Sequence, residues 1–222
     1  MPVTRPVAID GASRTTLRHY PAAGAPSSGV LLVLAHGAGA GHDHPFMVAF
    51  AEGLAASGID IVTFNFLYTE QKRRLPDRAP ILEACFRRVV AHARTLEGLA
   101  PRRLFIGGKS MGGRMATHLA AEGLEGLAGV VLLGYPLHPP GRAEQRRAAH
   151  LPSITVPVLI VQGERDTFGT PAELGPVVRT MKAPVTLHVV PAGDHSLAVR
   201  GRPREQVYGE VLAAIGLWIR SV

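Results

Sequence analysis

Six short apolar runs punctuate the chain: VLLVLA (30–35), IDIVTF (59–64), LFIG (104–107), VVLL (130–133), VPVLIV (156–161) and VTLHVV (185–190). Most are continuous rather than alternating, the pattern of strands buried on both faces. Segments of helical spacing separate them. Phe46, Val48, Ala49, Phe50 and Leu54 share one apolar face in the first, and Ile81, Leu82, Cys85, Val89 and Val90 do so in the second. Residues 111–121, 172–181 and 206–219 complete the set. Such alternation predicts an α/β fold, a mostly parallel central sheet with helices on both faces. RTTLRHY (14–20) alternates more clearly and is predicted as an antiparallel edge strand. At 222 residues, the length suits one domain over 1–222. The turn-rich PAAGAPSSG (21–29) is too short for a domain linker, and there is no internal repeat. Polar stretches 69–79 and 138–153 follow strands at the end where such sheets place ligands, and neither is long enough for a separate cap domain.

Composition narrows the function classes. The net charge is +7, yet the arginines are scattered doublets (Arg73-Arg74, Arg87-Arg88, Arg102-Arg103, Arg146-Arg147) and aromatics make up only 5%, so no stripe or stacking platform for nucleic acid is expected. No apolar run approaches the roughly 20 residues of a membrane span. MPVTRPVAID lacks the charged head and apolar centre of a signal peptide, and Cys85 is the only cysteine, so a cytoplasmic protein without an intrachain disulfide is expected.

The stretch IGGKSMGGRMA (106–116) sets Ser110 between two glycine pairs, where an apolar run gives way to a helical segment. Gly108 to Gly112 fits G-x-S-x-G in the strand–turn–helix context of a nucleophile elbow, a tight bend that lifts the hydroxyl clear of the sheet and tolerates only small neighbours. A serine needs a base, and the base needs an orienting acid. In this architecture both follow later strands, in the order serine, acid, histidine. Asp166 follows VPVLIVQG and His195 follows the last run. Glu164 is the second choice for the acid, and Asp194, directly beside His195, is a poor orienter because neighbouring loop side chains diverge.

Acyl transfer also needs backbone donors for the oxyanion. The Met111 amide is one, and the loop HGAGAGHDHPFM supplies the other, with Ala38 preferred and Gly37 next. His36 braces that loop. Tyr68, Tyr135 and Leu137 follow strand ends and are candidates to line a substrate pocket, and Lys109 is expected to be exposed. His42-Asp43-His44 matches no zinc spacing, and Asp43 or His44 equally caps a helix starting near Pro45. No metal site is assigned.

Together HGAGAGHDHPFM, NFLYTEQKRRLPDRAP, GGKSMGGRMA, LLGYPLHPPG, VQGERDTFG and GDHS resemble the α/β-hydrolases from about Val30 to Trp218. More narrowly, they resemble the small, cap-less dienelactone-hydrolase-like branch, including a domain family shared by bacterial proteins and a chromatin acetyltransferase-complex subunit. Dienelactone hydrolases themselves carry a cysteine where this elbow holds Ser110. The resemblance implies a serine hydrolase of small carboxylic esters or thioesters, with Ser110, Asp166 and His195 catalytic, a small-molecule substrate and no cofactor. A peptidase or acyltransferase using the same three residues is the alternative within the enzymes. A non-catalytic interaction or scaffold protein is the alternative outside them.

Overall fold

The chain's coordinates, a computed structural model, describe residues 1–23, 28–96, 99 and 103–222. Part of the connection at 21–29 and Arg102 lie outside these residues. Eight strands, β1 (Val3–Ala8), β2 (Arg14–Tyr20), β3 (Val30–Ala35), β4 (Asp60–Phe64), β5 (Arg103–Lys109), β6 (Leu127–Leu133), β7 (Val158–Gly163) and β8 (Val185–Val190), form one sheet in the order β1-β2-β4-β3-β5-β6-β7-β8. From β4 through β8 all neighbours are parallel, whereas β1 and β2 pair antiparallel. All six predicted runs are strands. β2 is antiparallel as expected but is not the edge, because β1 pairs along its outer side. β1 escapes sequence reading because only Val7 of it is buried and Pro6 interrupts its donors, a substitution that edge strands tolerate.

Helices α1 (Pro45–Ala56) and α6 (Arg204–Ser221) cover one face of the sheet. The other face is covered by α3 (Ala79–Ala93), α4 (Met111–Ala121) and α5 (Pro171–Val178), with the single turn α2 (Leu67–Glu70) leading into it. Phe50, Leu54, Val211 and Ile215 build the first core, and Phe86, Val89, Met115 and Leu119 the second. Two details differ from the predicted faces. Met47 and Ala51 of α1 are buried where Val48 and Ala49 are only partly so, and Ile81 projects to solvent from the first turn of α3.

Because β3 has β4 on one side and β5 on the other, the winding reverses there. The carboxyl ends of β3 and β5 therefore open a crevice of the kind that holds ligands in such sheets. Between β6 and β7 the described chain forms only the short 3₁₀ turn Leu151–Ser153, and no inserted domain stands over the crevice.

Candidate active site

Four glycines shape the bend at Ser110 by steric exclusion. A methyl on Gly108 would lie 2.4 Å from the Ala35 carbonyl oxygen, and one on Gly112 would lie 2.3 Å from the same atom. On Gly107 it would lie 2.0 Å from the Val131 oxygen, and on Gly113 2.7 Å from the Gly108 oxygen. The backbones of β3, β5, β6 and α4 thus touch directly, and the segment is a tightly packed bend rather than a linker. Ser110 itself sits at φ 51°, ψ −115°, a conformation that side chains rarely adopt and that persists only where the surroundings enforce it. Its amide donates to the Leu133 carbonyl at 3.0 Å, and its carbonyl accepts from Arg114 in the first turn of α4, also at 3.0 Å.

The strand order β5-β6-β7-β8 brings the ends of three strands to one edge. Ser110 Oγ lies 2.9 Å from His195 Nε2, and His195 Nδ1 lies 2.7 Å from Asp166 Oδ2. Asp166 is fully buried. The Phe168 amide donates to its Oδ1 at 2.8 Å and Gln162 Nε2 donates to Oδ2 at 2.9 Å, so the carboxylate is fixed in place and aimed at the ring. With Nδ1–H donating to that carboxylate, Nε2 is left to accept the serine proton. The Phe168 ring stacks on the imidazole, centroids 4.2 Å apart. The competing acids are occupied elsewhere. Glu164 accepts from the Ala192 amide at 2.7 Å, and Asp194 accepts from the Ser196 and Ala198 amides, shaping the turn that carries His195.

The loop after β3 closes the opposite side. A methyl on Gly37 would sit 3.6 Å from Ser110 Cβ. His36 Nδ1 donates to the Gly37 carbonyl at 2.8 Å and its Nε2 accepts from the Phe66 amide at 3.1 Å, so the ring ties this loop to the start of α2. Burial pushes its pKa down to about 4, so the ring is neutral at physiological pH. Among the described residues, neither the Met111 nor the Ala38 amide donates a hydrogen bond within the chain. Both residues line the cleft at Ser110, and the Met111 amide belongs to the unpaired first turn of α4.

This cleft, about 740 Å³, is walled by Phe46, Pro136, Phe168 and Tyr208 beside Gly37, Ala38, Ser110, Met111 and His195. Tyr68, Tyr135 and Leu137 do not line it, contrary to the sequence expectation. Tyr68 is buried edge-on to His36, facing a neighbouring hollow. Tyr135 turns inward, its hydroxyl donating to the Arg147 carbonyl, and Leu137 is packed in the core. Chain direction explains this: in the run Tyr135-Pro136-Leu137 the outer residues point in, so Pro136 faces the cleft. Lys109 is a second correction. β5 extends two residues beyond the predicted run and carries the Lys109 side chain under Gly134, where Nζ is shielded from solvent and, among the described residues, has no hydrogen-bond partner, 5.8 Å from the Phe46 ring centre. Burial draws its pKa down to about 8. His44 caps α1, its ring accepting from the Phe46 amide at 3.2 Å. The described residues contain no group of three potential ligands placed to hold a metal ion.

Residues 28–219, most of the chain, match a family described as an alpha/beta hydrolase domain. The chain is an α/β-hydrolase. Solved structures of the same shape include dienelactone hydrolase from Anabaena variabilis, with a TM-score of 0.79 at 19% identity over 100% of this chain and 97% of that one. A lid-less α/β serine hydrolase from Xanthomonas campestris superposes with a TM-score of 0.77 at 17% identity, over 99% and 94%. The esterase domain of a Rhodothermus marinus protein gives 0.74 at 14% identity, over 100% and 98%. At these identities the likeness is one of fold.

Sequence reasoning missed two residues that the α/β-hydrolase places against Asp166, Gln162 and Phe168. Gln162 is fully buried at the end of β7, accepting from the Tyr135 amide at 2.8 Å and donating to the Gly169 carbonyl at 2.7 Å as well as to Asp166. A lone amide inside VLIVQG was the available signal, since a polar group in a fully buried strand must have partners. Phe168 offered none, because its stacking depends on how the loop after β7 turns.

Proposed function

We propose that this protein is a serine hydrolase of small carboxylic esters or thioesters, working through an acyl-enzyme on Ser110. The observation that carries this reading is the continuous hydrogen-bonded relay from Ser110 through His195 to buried Asp166, in a cleft also lined by two residues whose amides engage no partner among the described residues. Ser110 Oγ attacks the substrate carbonyl as its proton passes to His195 Nε2. The oxyanion is received by the amides of Met111 and Ala38, two residues that line the cleft at Ser110. His195 then gives the proton to the departing alcohol or thiol. Water enters, loses a proton to the same nitrogen and releases the acid, and the serine proton returns. Asp166 stabilises the imidazolium throughout. The esterase domain and the lid-less serine hydrolase among the similar structures support ester chemistry as the starting class.

Ser110→Ala is expected to lower turnover of p-nitrophenyl acetate on the order of 10⁴-fold with substrate binding retained. A fluorophosphonate probe is expected to attach to Ser110 in the unaltered chain. Undiminished hydrolysis by the variant, or labelling elsewhere, overturns the proposal.

A further inference from the structure

The cleft carries an unbalanced charge. Lys109, Arg114, Arg147 and Arg204 line it, against one acid, Asp77, one oxygen of which already holds Arg73 at 2.6 Å. Among the described residues, the guanidinium groups of Arg114 and Arg147 have no hydrogen-bonded or ion-pair partner. Arg114 Nε is moreover shielded from solvent. Burial, and then the neighbouring charge of Arg147, oppose the charge on Arg114. Two like charges that line one cavity, one of them partly desolvated and only weakly offset by Glu83, are an unfavourable arrangement unless something of opposite sign joins them. Some other arginines do have an acidic partner: Arg87 pairs with Glu122 and Arg202 with Glu210. Both arginines line the same cleft as Ser110. Arg114 is four residues along α4 from Ser110, a rise of about 6 Å, one helical turn from the nucleophile.

Building on the ester-hydrolase reading of Ser110, we infer that the substrate bears a second, anionic group, a carboxylate or a phosphate, which Arg114 and Arg147 hold while its ester carbonyl meets the nucleophile. Planar guanidinium forks match both anions in bidentate fashion. Lys109 and Arg204 add to the field that draws such a molecule into the cleft. The neutral walls, Phe46, Phe168 and Tyr208, leave the two arginines as the groups that orient it.

Four compounds test this: the p-nitrophenyl ester of glutaric acid with its far carboxylate free, its neutral methyl-ester twin, a phosphonate of equal length, and the acetyl ester of 4-hydroxybutyrate, which moves the anion to the alcohol side. At least one anionic compound is expected to exceed its neutral twin by about 10- to 100-fold in kcat/KM. That ratio should collapse toward one in Arg147→Gln and Arg114→Gln, fall partly in Arg147→Lys, and persist in Arg165→Gln, which alters an exposed arginine outside the cleft. Which compound leads identifies the anion and its side of the ester. Independently of catalysis, glutarate or inorganic phosphate should raise the melting temperature of the unaltered chain and not that of Arg147→Gln, whose own melting temperature reports whether it folds. Ser110-dependent hydrolysis with no anionic advantage and no anion-induced stabilisation removes the subsite and leaves the hydrolase. An Arg147-dependent stabilisation without any hydrolysis keeps the anion site and removes the ester reading.

Discussion

A methyl group on Gly112 has nowhere to go, since the Ala35 and His36 carbonyl oxygens would lie 2.3 and 2.6 Å away, backbone atoms at the end of β3 and the start of the loop that passes Ser110. Gly112→Ala is therefore expected to push β3 and α4 apart, costing about 1–3 kcal/mol in urea unfolding. The same shift displaces the Ala38 amide from Ser110, so esterase activity should fall further than stability; an active, equally stable variant would show that the contact can relax. The three residues of the relay were legible in sequence because each stands just past an apolar run, and position after a strand end is what the topology fixes. Which way a loop side chain faces is not encoded so locally. Lys109 read as exposed because most geometries of such a turn expose that position, and Tyr135 and Leu137 read as pocket walls because proximity to a strand end says nothing of direction.

Elements were the most readable scale, because continuous and 3.6-residue apolar patterns persist over whole strands and helices. β1 failed for the opposite reason, being too exposed to leave a pattern. One junction between elements has a pH signature. His36 links the loop after β3 to Phe66, the residue that caps α2, through an Nε2 that must stay unprotonated to accept. Its folded pKa is about 4 against an ordinary value of 6.5. Between those values the unfolded chain binds more protons, so this histidine's contribution is complete above pH 6.5 and is lost as pH falls toward 4. Wild type is expected to lose about 2 kcal/mol more than His36→Gln between pH 7.5 and pH 5, measured by urea titration at each pH. Equal losses would mean that the ring is already charged in the fold.

At the scale of the molecule, the relay draws on strands of unequal security. β5, which leads to Ser110, lies inside the sheet between β3 and β6, with both cores pressed against it. β7, which leads to Asp166, also has strands on both sides. β8 has a partner only in β7, and five of its six residues are partly or fully exposed. It is the strand that leads to His195. Opening of an edge costs less than global unfolding, so amides of β8 should exchange with deuterium faster than those of β5. Gentle heating should silence the enzyme reversibly before circular dichroism reports any melting; simultaneous loss of both signals would contradict this. His195, the proposed base, is thus mounted on the outermost slat of the scaffold while Ser110, the proposed nucleophile, is set in its keel. A warmed molecule would keep a well-formed but idle serine, waiting for its proton acceptor to swing home.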